Sequence, residues 1–219
     1  MPRHPNPELE QKILAAASRL WARGGEKALT MRAVAKAAGT TTPTVYERYR
    51  DREDILLALR LKTRSELFAA LNQTRTMSET IESYLNFALE HTHSYEVLFD
   101  GVGRPPSLYE RWPSFNLMRE RLAERLEGSP RDHNRLMLAL WSLMHGTAML
   151  IIRGGFEGAL RTQAIHACID SAENLLRVAA RSKAPVYSGP KWPQNLILGE
   201  GPKSQVGNGE KAKNKSQRR

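Results

Sequence analysis

A single cysteine, Cys168, excludes an intrachain disulfide, so nothing marks the chain as one of the small stapled domains of oxidising compartments. No run of eighteen apolar residues occurs, which argues against a membrane-spanning helix. The opening residues MPRHPNPELEQK lack the apolar stretch of a signal peptide, and a cytosolic protein is expected. Aromatic residues make up only 7% of the chain and runs of β-branched residues are few, so no sheet is expected. No glycine-rich phosphate loop follows a strand. The six histidines are scattered, and His91 and His93, two apart, do not share a helix face, so no metal triad is visible. Cys168 lies on an apolar stripe with no evident base nearby. Catalytic residues, metals and cofactors are therefore all expected to be absent, which leaves binding as the function class.

What is present is a helical pattern and an uneven charge. The 219 residues are 41% hydrophobic and 26% charged, enough to bury a core, with a formal net charge of +10. Residues 1–60 carry eleven basic and seven acidic side chains, residues 61–181 carry fourteen of each, and residues 182–219 carry eight and two. A neutral middle between basic ends suits a head that meets a polyanion, although a solubilising surface would look the same. Beyond Ser182 prolines and glycines are too closely spaced for a regular element, and a largely disordered tail is expected. Within it Val186, Tyr187, Trp192, Leu196, Ile197 and Leu198 form an apolar patch able to dock on the body. The lysines and arginines at its end either meet phosphate or are simply solvated.

Asn6 and Pro7 start a first helix whose apolar face is Leu9, Ile13, Ala16, Leu20 and Trp21, ending at Gly24 and Gly25. Thr30 caps a short second helix with Val34, Ala37 and Ala38 inward, and Gly39 stops it in a left-handed conformation. Thr41 caps a third, with Val45 and Tyr49 facing the core. Asp51 and Asp54 resemble a capping box before Ile55, Leu56 and Leu59. The body reads as helices over 77–95, 107–126 with a kink or division at Pro113, 130–153, and 162–181.

Residues 30–49, TMRAVAKAAGTTTPTVYERY, have the layout of a helix-turn-helix. Small Ala35 and Ala38 let the helices cross closely. Thr41, Thr42 and Thr44 present compact hydroxyls and methyls to base edges or phosphates. Arg48, Arg50 and Arg52 flank the third helix and could hold phosphates from the side, with Arg32 and Lys36 weaker candidates and a solvated cluster the bland alternative. Glu47 would repel phosphate if it faced the backbone, or accept from a cytosine amino group if it faced the groove, and so is not among the contact candidates.

Thr30, Met31, Arg32, Ala35, Ala38, Gly39, Thr44, Val45, Tyr46, Tyr49, Asp51, Glu53 and Ile55 together resemble the signature of the tetracycline-repressor-like family over residues 8–60. The resemblance implies an all-α fold: a helix-turn-helix DNA-binding head (1–53), a helical ligand-binding and dimerisation body (54–181), and the basic tail (182–219). It implies a homodimer on a palindromic operator in double-stranded DNA, a repressor released by a small hydrophobic effector, and Tyr46 touching the DNA backbone. In the residues themselves Tyr46 could equally seal the head.

Large side chains spread over the body either line an adaptable cavity or fill a solid core. The ligand candidates are Phe87, His91, Trp112, Phe115, Met118, Trp141, Met144 and His145, with Tyr84, Tyr95, Phe99 and Met149 in the same set. WSLMHGTAML also resembles a Trp-x-x-x-His-Gly pattern of some family members, in which Gly146 would permit close helix approach. His145 would bond a ligand or a backbone carbonyl. Ile165, Ile169, Leu175 and Leu176 on the last helix are the dimer candidates by the same resemblance, though one chain could cover them itself. A hinge is expected around Leu59 to Leu67. The rival reading is a helical adaptor that binds protein partners with no DNA readout.

Overall fold

The computed structural model describes residues 7–99 and 112–181. The chain divides into two units, 1–183 and 184–219, and the second lies wholly outside the described residues. So do Asn6, the Gly/Pro break at 101–106, the stretch 107–111 and the tail, so the expectations for them fall outside the described residues. The described part of the first unit is all-α. Its helices are α1 (Pro7–Ala28), α2 (Met31–Ala38), α3 (Thr42–Tyr46), α4 (Arg52–Asn72), α5 (Met77–Glu90), α6 (Thr92–Phe99), α7 (Pro113–Leu126), α8 (Asn134–Ile152) and α9 (Gly158–Arg181).

Two hydrophobic cores organise these helices. The first gathers Ile13, Ala17 and Trp21 of α1, Val34 and Ala35 of α2, Val45 and Tyr49 at α3, and Ile55, Leu56 and Leu59 of α4. The second gathers Leu67 and Leu71 of α4 with the apolar faces of α5, α7, α8 and α9. α4 therefore serves both, its amino-terminal half closing the head and its carboxy-terminal half entering the body. α6 does the same over eight residues. Val97 is packed into the head core, whereas Tyr95 and Leu98 belong to the body core.

The local signals held where they were strong. Thr30 caps α2 by accepting from the Ala33 amide at 3.2 Å, Gly39 follows with φ 67°, and Thr41 caps α3 by accepting from the Thr44 amide at 3.3 Å. Gly24 and Gly25 break helical geometry as expected, Gly25 at φ 56°.

Elsewhere the structure differs. The helix expected over 77–95 stops at Glu90, because His91 turns to φ −115°, ψ 43° and α6 starts afresh. No glycine or proline marks that break, so apolar spacing runs through it. Ala37 is exposed, and Ala35 takes its place on the inner face of α2. Asp51 accepts from the Asp54 amide at 2.9 Å, but the Asp54 carboxylate turns to Arg50 instead of completing the box. The complete capping box is at Thr76 and Glu79, opening α5. Pro113 is the first residue of α7 rather than a kink, α8 starts at Asn134 rather than Pro130, and α9 starts at Gly158 rather than Thr162. α8 is long and apolar enough to cross a membrane by composition, and it packs one face against α5, α7 and α9 through Met137, Leu140, Met144 and Ala148.

Candidate nucleic-acid interface and ligand site

The capped turn at Gly39 holds α3 against the head through Val45, fully buried, and Tyr49, 6% exposed. Everything else on α3 turns outward. Thr41 and Pro43 are exposed, Thr42 and Thr44 half-buried, and Tyr46 is 54% exposed, so its ring does not seal the head. The Thr41 and Thr44 hydroxyls lie 2.8 Å apart, and Thr41 also serves the cap, which leaves Thr44 the less committed of the two. Arg32 and Lys36 are exposed along α2.

The three flanking arginines are not equivalent. Arg50 forms a two-pronged pair with Asp54, Nε and Nη2 each 2.9 Å from a carboxylate oxygen. That pairing holds the Asp54 carboxyl down to about 2 and raises the Arg50 guanidinium further. Arg52 sits 2.6 Å from Glu26 and 2.9 Å from Glu53. Arg48 is half-buried and joins no ion pair among the described residues. A phosphate must therefore compete with carboxylates for Arg50 and Arg52.

One head group is out of balance. The Tyr49 hydroxyl is buried with no hydrogen-bond partner among the described residues, and burial pushes it up to about 12. Tyr49→Phe removes a stranded donor and keeps the ring, so the head should gain about 1 kcal/mol in denaturant unfolding. A loss of stability would mean that the hydroxyl has a partner.

In the body, four side chains form a hydrogen-bond chain that runs from the half-buried Trp141 through the buried Tyr84 and Tyr95 to the half-buried His145. Trp141 Nε1 donates to Tyr84 Oη at 3.1 Å, the Tyr84 and Tyr95 hydroxyls are 2.7 Å apart, and Tyr95 Oη lies 2.7 Å from His145 Nδ1. Indole N–H can only donate, which sets the order: Tyr84 donates to Tyr95, and Tyr95 donates to Nδ1. The reverse order would leave the Tyr84 proton without an acceptor in this chain. His145 is thus neutral with its proton on Nε2, in accord with burial lowering its pKa from 6.5. Burial also pushes Tyr84 up to about 12 and raises Tyr95.

The sign for stability follows. A histidine kept neutral by folding gives its full contribution above the unfolded value of 6.5 and loses it as pH falls through the lower folded value. Urea midpoints should drop between pH 7.5 and 5, and His145→Gln should remove part of that drop. An unchanged pH profile in the variant would place the sensitivity elsewhere.

Aromatic rings surround this chain. Phe99 lies 4.2 Å from His145 and 5.6 Å from Trp112 between ring centroids, and Trp112 meets Trp141 edge-on at 5.9 Å. The Arg64 guanidinium stands 5.3 Å over Trp112. Of the ligand candidates, Trp112, Phe115, Met118 and Trp141 line one small cavity, with Met144 and His145 in the core beside it. Phe87 and His91 are not brought there. They stack at 4.9 Å beside a separate open groove of about 390 Å³ that also carries Glu79, Glu82 and Glu90. The cavity wall includes Leu67, Ser114 and Met137, which the sequence did not single out, Leu67 because α4 read as a hinge.

Two further expectations change. Gly146 has open space where a Cβ would stand, so it marks no close helix crossing within the chain. Of the four dimer candidates, Leu176 is fully buried, Ile165 and Ile169 pack against the body core, and Leu175 is 36% exposed. Most of that stripe is the inward face of α9.

The description of bacterial regulatory proteins of the tetR family matches residues 13–59, and that of the tetracyclin repressor-like C-terminal domain matches residues 77–176. The chain belongs to the tetR family. Its helix-turn-helix head and helical body are those of a ligand-responsive, DNA-binding regulator, and the family is one of regulators rather than enzymes. Among the described residues no three metal-ligating side chains gather.

Solved structures share the tetR fold at low identity. A Rhodococcus sp. RHA1 protein of unknown function is 23% identical with TM-score 0.65, covering 82% of this chain and 99% of its own. A TetR-like transcriptional regulator from the same organism is 19% identical with TM-score 0.56, covering 83% and 100%. TetR from Acinetobacter baumannii AYE is 15% identical with TM-score 0.57, covering 77% and 95%, and a variant of that protein has been solved with minocycline. No curated protein matches the chain.

Proposed function

We propose that this tetR-family chain acts in the cytoplasm as a homodimeric repressor that grips a palindromic operator and lets go when a small, mostly apolar ligand enters its body. The head spans residues 1–53, the ligand-binding and dimerisation body residues 54–181. The observation that carries the DNA part is the exposed side of α3, anchored by Val45 and Tyr49 and leaving Thr44 and Tyr46 outward. Thr42 and Thr44 read base edges, Thr41 fixes the helix start, and Tyr46, Arg32, Arg48, Arg50 and Arg52 meet phosphates.

Dimerisation is supported by what α8 and α9 leave uncovered. Leu150 on α8 is 51% exposed, and Leu160, Leu175 and Val178 on α9 are 50%, 36% and 54% exposed. Small residues stand between them: Ala139 and Ser142 exposed and Gly146 half-buried on α8, Ala167 and Ser171 exposed and Ala164 half-buried on α9. Apolar ends with small residues between them suit a second pair of helices approaching closely.

Coupling is supported by α6. Tyr95 and Phe99 hold the aromatic core, Val97 of the same helix sits in the head core, and Arg60 Nε of α4 donates to the Val97 carbonyl at 3.2 Å. A ligand that shifts Tyr95 or Phe99 therefore biases the head, and about a hundredfold change in operator affinity needs only a few kcal/mol of differential binding.

The test is selection of bound duplexes from a random pool at stated salt. An enriched palindrome is expected, and its absence would favour the adaptor reading. With the selected site, Thr44→Ala should alter base preference, whereas Arg50→Ala should weaken all sequences alike and lower the salt slope by about 1. The opposite pattern would mean that the head faces DNA differently.

A further inference from the structure

The cavity among Tyr84, Trp112, Phe115, Met118 and Trp141 has only about 10 Å³ of free space. That holds no more than one water, so any ligand there must displace something. The wall is not uniformly movable. Tyr84, Phe115 and Met118 are 2%, 5% and 1% exposed, and Trp141 is tied to Tyr84 through its indole nitrogen. Trp112 alone among the large aromatic wall residues is both partly exposed and placed outside the body of a helix. It precedes α7 at φ −116°, ψ 88° and provides no side-chain cap. Its indole is held by faces and edges: the Arg64 guanidinium at 5.3 Å, Phe99 at 5.6 Å and Trp141 at 5.9 Å.

We propose that the Trp112 indole is an internal competitor occupying the ligand's place, and that the ligand is a planar aromatic molecule of about the same size carrying a hydroxyl. This rests on the reading of the body as a ligand site. A flat bicyclic ring in the indole's place packs on the tilted Phe99 ring and edge-on against Trp141, under the same guanidinium. Ser114, on the cavity wall, supplies a polar partner for its hydroxyl. The ligand keeps a ring against Phe99, but Phe99 is then no longer tied to the start of α7 through Trp112, and loosening that tie reaches α6 and, through Val97, the head.

The test uses 2-naphthol as the probe, titrated calorimetrically into the full-length chain, Trp112→Ala and Trp112→Phe, each first shown to be folded by circular dichroism. Removing a competitor removes a population tax, so Trp112→Ala should bind about tenfold more tightly than the unaltered chain. Trp112→Phe, with a smaller ring, should fall between them. If the alanine variant does not fold, the phenylalanine variant decides alone, tighter binding supporting the proposal and equal binding overturning it. Equal or weaker binding by Trp112→Ala, or no binding by any of the three, also overturns it. Operator binding without probe is measured in parallel: its loss in the unaltered chain would sink the regulator reading, and its persistence without naphthol binding would sink this proposal alone.

Discussion

Arg121→Met should lower the unfolding free energy by about 2 to 4 kcal/mol, since it strips donors from several buried and part-buried acceptors at once. Arg121 projects from α7 and is 8% exposed. Its Nη1 donates to the Thr74 and Thr80 hydroxyl oxygens and reaches the Thr76 carbonyl at 3.4 Å, while Nη2 donates to the Thr74 carbonyl. The two hydroxyls lie 2.8 Å apart, and each also has a carbonyl within 2.7 Å to which it can donate, Leu71 for Thr74 and Thr76 for Thr80. Without Arg121 one threonine can still donate to the other, but the Thr74 carbonyl and the remaining hydroxyl lone pairs lose the donors that the guanidinium supplies. Methionine keeps the stem's packing and leaves the corner between α4 and α5 with stranded acceptors. Lysine, a compact ammonium without the fork, should recover only part of the loss. Denaturant midpoints at constant slope measure this, and a methionine variant within about 0.5 kcal/mol of the parent, the range of an ordinary surface change, would mean that water replaces the guanidinium.

The second large effect concerns assembly. Leu175→Glu with Val178→Glu alters two side chains already exposed on a single chain, so the fold itself should barely respond. Across a two-fold interface the same change brings four carboxylates into an apolar contact, with no partner for any of them. Sedimentation should then give single chains, and operator affinity should fall about a hundredfold, or roughly 2.7 kcal/mol. Circular dichroism keeps misfolding separate from dissociation. A pair of chains that survives the double change would move the contact to another face.

These predictions draw unequally on the sequence. The head was legible almost residue by residue, because Thr30, Gly39 and Thr41 act on amides within three or four positions of themselves, and such signals travel with the sequence. The break at His91 was not, since neither glycine nor proline produces it. The faces of α9 were confused for a different reason: both sides carry apolar residues, and periodicity cannot say which is covered by α8 and which by a second chain. Arg121 passed unnoticed because a cation in a helix ordinarily lies on the surface, and the threonines that receive it come from a distant corner. The aromatic composition of the body was plain, but its ordering into a directional chain from Trp141 to His145 depends on contacts spanning 11 to 57 positions.

The shared position of α6 sets a rule for redesign. If the proposed coupling holds, a change at Tyr95 or Phe99 reaches the head only through α6, whereas a change of volume at Val97 acts on the head core directly and on the sensor through the same helix. Two properties that look separable on a domain diagram are thus tied at a single valine, and libraries built to change what this regulator senses should hold that one position fixed.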